Sequence, residues 1–154
     1  MIPLNPFRQV PGLCGPASLK IVFSYYGIEK TEVEIAKLCD ARPEMGVPAS
    51  GLITCCEHLG LHAILKDEAE LKDIIMYVQN NIPVLVQWWC EDDGHWSVVV
   101  KVDTENIYLQ DPHLGMMRAM RLETFYRNWF DFHQTIMKKE NLILRRMIAI
   151  EKFA

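Results

Sequence analysis

The apolar positions of this chain change their spacing once, near Pro83. Before it they recur at intervals of three and four residues, the period of a helix face. Beyond it they come in continuous or alternating runs, the habit of strands. In the first half, Gly12 to Gly27 reads as a loop feeding a helix, because Pro16 suits a first helical turn and Gly27 supplies a left-handed stop. Thr31 and Glu34 form a T-x-x-E capping box for a second helix that should bury Val33, Ala36 and Cys39. A third helix is expected over 50–58, stopped by Gly60, followed by a short strand over 61–65. The strongest helical pattern is 67–79, with Asp67 and Glu70 as capping pair and Leu71, Ile74, Ile75 and Val78 on one face.

Past Pro83 the runs V-L-V-Q-W-W-C, H-W-S-V-V-V-K-V and I-Y-L-Q are separated by turns at 91–94 and 103–106, a meander of antiparallel strands. D-P-H-L-G is a further turn, leading to an extended piece over 117–121 and a short helix over 123–129. The tail L-I-L-R-R-M-I-A-I-E-K reads as one added strand. Helices first and strands second predict an α+β fold, with N-terminal helices segregated to one side of a C-terminal antiparallel sheet. At 154 residues the whole chain, 1–154, is expected to form a single domain.

Composition narrows the function. Half of the residues are hydrophobic, 23% are charged and the net charge is −4, so no basic surface is available to neutralise a row of phosphates, and nucleic acid is not expected as a partner. No apolar run approaches the roughly 18 to 20 residues of a spanning helix, so no membrane insertion is expected. The N-terminus M-I-P-L-N-P-F-R-Q lacks the layout of a secretory signal, which makes the cytoplasm the expected compartment. There the five cysteines would be free thiols rather than a disulfide framework.

One of those thiols is placed unusually. Cys14, in G-L-C-G-P-A-S-L, falls at the start of the first helix, where peptide dipoles and unpartnered N–H groups favour thiolate over thiol. The same N–H groups can receive the oxygen of a tetrahedral intermediate. The bland alternative is a small buried side chain, a common fate of unpaired cysteine.

A thiolate wants an imidazole, and the chain has five histidines. His58 and His62 flank a helix stop, His133 lies in a polar stretch and His113 sits in a turn. His95 opens a strongly apolar strand. If 103–106 is the turn of a hairpin, the strand that begins at His95 runs antiparallel to the one ending at Gln110, and Asp111 returns to the same end of the sheet. A carboxylate there would orient the ring and favour its protonated form. Gln9, five residues before the thiol, could lie across the entrance if Pro11 and Gly12 turn the chain, and its amide offers two donors.

With these positions in view, the chain resembles the double-glycine leader peptidases, papain-like cysteine peptidases that usually form the N-terminal domain of ABC exporters. The likeness rests on Q-V-P-G-L-C-G-P-A-S-L, Y-Y-G, I-P-V-L-V, G-H-W-S-V-V-V, L-Q-D-P-H-L-G and F-Y-R-N-W, in that order over 7–129. It implies Cys14 as nucleophile, His95 as general base and acid, Asp111 as orienting carboxylate and Gln9 as oxyanion donor. It also implies a peptide or protein substrate cut after a glycine-rich site, and a separate ABC exporter as partner, since the sequence ends where a transporter domain would begin. The acidic E-D-D-G before His95 departs from the usual lead, and 133–154 carries no motif of the family.

Three other readings compete. Cys55, Cys56, His58 and His62 lie close together, but adjacent cysteines rarely chelate one ion, so neither a metal nor another cofactor is expected. A module that binds a leader without cutting it would be expected to have lost the cysteine. Transfer of the thioester to an amine, rather than hydrolysis, leaves no mark in the sequence. Trp96 with Trp88 or Trp89 could wall a cleft, although tryptophans in apolar strands are more often core.

Overall fold

The computed structural model describes residues 1–153. The chain runs through helices α1 (Cys14–Tyr25), α2 (Glu32–Leu38) and α3 (Ala49–His58), then β1 (Leu61–Lys66) and α4 (Leu71–Gln79). Strands β2 (Val84–Cys90), β3 (Asp93–Val102), β4 (Asn106–Asp111) and β5 (Met116–Arg121) follow, then α5 (Leu122–Asn128), β6 (Phe130–Phe132), β7 (Leu142–Leu144) and β8 (Arg146–Lys152). Six of the strands form one sheet in the order β1-β8-β2-β3-β4-β5, with every pairing antiparallel, and β6 and β7 make a small separate ribbon. The fold is α+β, with β2 to β5 the expected meander.

The helices do not keep to one side. Strands β2, β3 and β8 are apolar at successive positions, Val84-Leu85-Val86, Val98-Val99-Val100 and Met147 to Ile150, all at most 2% exposed. A sheet apolar on both faces needs cover on both. Leu85, Trp96, Val98 and Ile148 pack with Leu19, Ile35, Leu52 and Cys55 from α1 to α3, while Val84, Val86, Val99, Met147 and Ala149 pack with Ile74 of α4 and Phe125 of α5. The C-terminal strand β8 is no appendage either: it lies between β1 and β2, pairing Ile148 with both Leu65 and Leu85.

Two local expectations are corrected. The Thr31–Glu34 capping box forms, with Glu34 N–H donating to Thr31 Oγ1 at 3.1 Å and Thr31 N–H to Glu34 Oε2 at 2.8 Å. Its helix, however, buries Ile35 and Cys39 and exposes Val33, since an i, i+4 pair shares a face and Val33 points away from it. Helix α4 starts four residues later than Asp67, with Glu70 N–H donating to Asp73 Oδ2 at 2.8 Å. Asp67 is held instead by the fork of Arg146, at 2.7 and 2.9 Å.

Candidate active site

Cys14 is the first residue of α1, and two glycines allow the surroundings to close on it. Gly12 has φ +85°, the left-handed region, and a Cβ there would stand 2.5 Å from the Pro43 carbonyl oxygen. A Cβ at Gly15 would stand 2.5 Å from Val47 Cγ1, so the start of α1 is pressed against the loop between α2 and α3. One turn along the helix, Ser18 Oγ donates to the Trp96 carbonyl at 3.2 Å. Ser18 lies four residues from the thiol and Trp96 next to His95, so this buried bond sets the height of α1 on β3. It thereby places sulfur and imidazole together.

His95 is 92% buried along its side chain, and its Nε2 is hydrogen-bonded to Asp111 Oδ1 at 2.5 Å. The expected hairpin explains the encounter: Val98 pairs with Gln110 and Val99 with Leu109, so the residues before Val98 and after Gln110 share one end of the sheet. Burial by itself would lower the pKa of His95. Hydrogen bonds to Asp111 and to Cys14, with their charges, outweigh that and lift it from 6.5 to about 9. The ring nitrogen not engaged by Asp111 is Nδ1, which is therefore the one available to the thiol. Asp111, whose side chain has no exposed surface, is held ionised: burial pushes its pKa up, but His95, the His113 N–H (2.9 Å) and Arg118 bring it below the usual carboxylate value.

Arg118 on β5 was not singled out by the sequence reading. Its Nη1 stands 3.1 Å from Asp111 Oδ2 and donates to Cys90 Sγ at 3.6 Å, and its guanidinium carbon lies 5.4 Å from the Trp88 ring centroid. Trp88 meets the His95 ring edge-on at 5.7 Å, and its indole N–H donates to Ser97 Oγ at 3.0 Å. Trp88 and Trp96 are core, each 3% exposed, though Trp96 also reaches the cleft wall. Trp89 stacks on Phe130 at 5.5 Å.

Gln9 reaches the site on a pinned strap. Its N–H donates to the Pro112 carbonyl at 2.8 Å, and the next N–H, of Val10, donates to Glu32 Oε2 at 3.0 Å. Gln9, Cys14, His95 and His113 border one cleft of about 470 Å³. A second cleft of about 870 Å³ opens on the other side of Cys14, between the α2–α3 loop with the start of α3 and the β6–β7 ribbon. The two share Gly12, Cys14, Asp93 and Gly94, so the thiol stands where two arms of a channel meet.

The cysteines and histidines of the zinc reading separate. Cys55 and Cys56 are in the core, whereas His58 and His62 are exposed, His62 stacking on Phe153 at 5.4 Å and standing 3.4 Å from Glu151.

A helix-initial cysteine beside a buried His–Asp pair, on a sheet joined to a helical layer, is a cysteine-peptidase type of fold. The chain matches the model of the peptidase C39 family over residues 11–141 and belongs to that family. An uncharacterized protein of Methanothermobacter thermautotrophicus is 35% identical over 114 residues, 74% of each chain, and one of Methanothermobacter marburgensis is 34% identical over 115 residues, 74% of this chain and 75% of that one. Among solved structures, the peptidase domain of Streptococcus ComA, a bifunctional ABC transporter involved in quorum sensing, superposes with a TM-score of 0.78 at 18% identity, covering 97% of this chain and 99% of that one. A double-glycine motif protease from an AMS/PCAT transporter, in complex with the leader peptide, gives 0.76 at 17%, covering 99% and 94%. The resemblance to double-glycine leader peptidases is thus matched by family and by fold. Among the described residues no helix is long and apolar enough to cross a membrane.

Proposed function

We propose that this protein is a cysteine endopeptidase that hydrolyses a peptide bond after a glycine-rich leader site. The observation that carries the reading is the convergence of a helix-initial thiol, an imidazole raised to about 9 and a buried carboxylate at the meeting of two clefts. The Cys14 thiolate attacks the scissile carbonyl carbon, forming a C–S bond. The oxygen takes up the negative charge against the Cys14 N–H and the Gln9 amide. Imidazolium His95 gives its proton to the departing nitrogen as the C–N bond breaks. Neutral His95 then takes a proton from water, which attacks the thioester and releases Cys14. Asp111 keeps Nε2 engaged throughout and stabilises the cationic ring.

Glycine at the cut suits the attack, because a residue without Cβ lets the substrate backbone come close to the thiol. The substrate on this reading is a peptide with a leader, handed to an ABC exporter, in a compartment that keeps thiols reduced. The test is a peptide with an amphipathic helix ahead of a Gly-Gly site, offered to wild type and to Cys14→Ala. Cleavage by the first and not the second is expected. Cleavage by both, or by neither under conditions where the peptide binds, overturns the reading.

A further inference from the structure

The larger cleft contains a polar pair that the catalytic steps do not use. Gln87 on β2 and Asp131 on β6 both border it, at 8% and 9% exposure. Gln87 Nε2 donates to Asp131 Oδ2 at 2.7 Å, and Phe132 N–H donates to Asp131 Oδ1 at 2.6 Å. Gln87 Oε1 is buried and has no hydrogen-bond partner among the described residues. A buried acceptor left without a donor is destabilising, a penalty that a ligand bringing a donor would remove. The pair also lies close to the reacting thiol. A Cβ at Gly94, one residue from His95, would fall inside the Asp131 carboxylate, so glycine there is what lets the acid approach.

The charges of the cleft say which donor is welcome. Asp40, Glu44, Asp93 and Asp131 border it against Arg42 and Arg146, and Arg146 is already held by Asp67 at 2.7 Å. The wall is net acidic. Burial pushes the Asp131 carboxyl above its ordinary value, outweighing the hydrogen bonds from Phe132 and Gln87 that lower it, while Asp93 adds to the rise and Arg146, itself held by Asp67, opposes it only in part.

We infer that Gln87 Oε1 and the Asp131 carboxylate form a specificity subsite for a basic side chain, lysine or arginine, lying within a few residues of the scissile bond. The inference rests on the peptidase reading, and it adds a requirement beyond a glycine-rich cut. An ammonium group docked there satisfies the orphan oxygen and gives Asp131 a counter-ion. A side chain of the same length without nitrogen leaves Gln87 Oε1 unpaired and brings Asp131 no counter-ion, the kind of mismatch that discriminates strongly.

The experiment is a set of peptides with a central Gly-Gly in which each of four positions on either side carries lysine, norleucine or glutamate in turn. Wild-type protein should cleave the lysine peptide about 10- to 100-fold faster in kcat/KM than its norleucine counterpart at one position, with glutamate slowest. Gln87→Met and Asp131→Asn should each bring the lysine-to-norleucine ratio close to one. A pair that merely clamps β6 to the sheet would lower Tm in both variants and leave the ratio unchanged, and that result overturns the subsite. So does the absence of lysine preference at every position. The same peptides, titrated onto Cys14→Ala protein with fluorescence polarisation as readout, separate the two readings. Lysine-selective binding that Gln87→Met abolishes keeps the subsite even if wild type cuts nothing, whereas cleavage without selectivity keeps the peptidase and removes the subsite.

Discussion

Cys14 and the trio Cys39, Cys55 and Cys56 are the same side chain in two settings about one helix apart. Cys14 is half-buried at the start of α1, beside an imidazole that a carboxylate keeps protonated up to about pH 9. Cys39, Cys55 and Cys56 are at most 3% exposed and pack with Leu52, Ile35 and Leu61. A hydrogen bond to Cys55, then burial, pushes the Cys39 thiol up, and burial does the same to Cys56. On the proposed reading thiol chemistry is a property of place: a helix start and a cation make a nucleophile, and an apolar contact shell makes a small hydrophobe.

The sharpest way to break that contrast is to exchange the roles. Cys14→Ala should abolish cleavage, while the fold, read by circular dichroism, stays intact because the residue is at the surface of the core. Should Cys14→Ala retain turnover, the contrast between the two settings collapses. Asp111→Asn comes next, with kcat reduced by about 10³- to 10⁴-fold, since the ring loses both its orientation and its counter-charge. The measurement is kcat/KM across pH. A variant within tenfold of wild type would show that His95 does not depend on Asp111.

Arg118 is a positioning residue, and its effect should be smaller, about tenfold in kcat for Arg118→Met, with Arg118→Lys recovering much of it. The diagnostic is the pH profile. Removing a cation 3.1 Å from Asp111 raises the pKa of the carboxyl and of the neighbouring imidazole, so the alkaline limb should move upward from about 9. A structural role alone would lower Tm without moving that limb. The sign for stability follows from the same group. His95 has a higher pKa folded than unfolded, so its stabilising share is complete below about 6.5 and is lost as pH rises toward 9. Thermal unfolding should show Tm falling over that interval, and in Cys14→Ala, which lacks one of the ring's partners, the fall should still begin near 6.5 but be smaller and end at lower pH.

How much of this was legible beforehand depended on the range of the interaction. The helix stops at Gly27 and Gly60, the Thr31 cap and the hairpin that returns Asp111 toward His95 are local, and local chemistry announces them. Ser18, Arg118, Gln87 and Asp131 are joined to their partners by strand order. Gln87 and Asp131 meet only because β6 folds back over β2, and nothing in L-V-Q-W or N-W-F-D-F signals that contact. The misjudged Val33 and Asp67 were assigned by pattern where tertiary partners decided otherwise: the α2 face was set by Ile35 and Cys39 against the core, and Asp67 was taken by Arg146 from the far end of the chain. The two-sided sheet was visible in principle in the unbroken apolar runs of β2, β3 and β8, whose lack of alternation is the mark of strands covered on both faces.

The mildest change closes the comparison from the other side. Cys56 sits on α3 with no exposed surface and borders neither cleft, so Cys56→Ala removes a sulfur from packed surroundings and nothing from the channel. It should cost about 1 kcal/mol, read as a lower urea midpoint at constant m, with kcat/KM unchanged. Iodoacetamide supplies the matching kinetic measurement. In the native protein at near-neutral pH, Cys14 should be modified first, the half-buried Cys90 more slowly, and Cys39, Cys55 and Cys56 only at the rate at which the core opens. Equal rates at all five would mean that neither the helix start nor His95 activates the thiol, and the distinction between the two settings would have no chemical content.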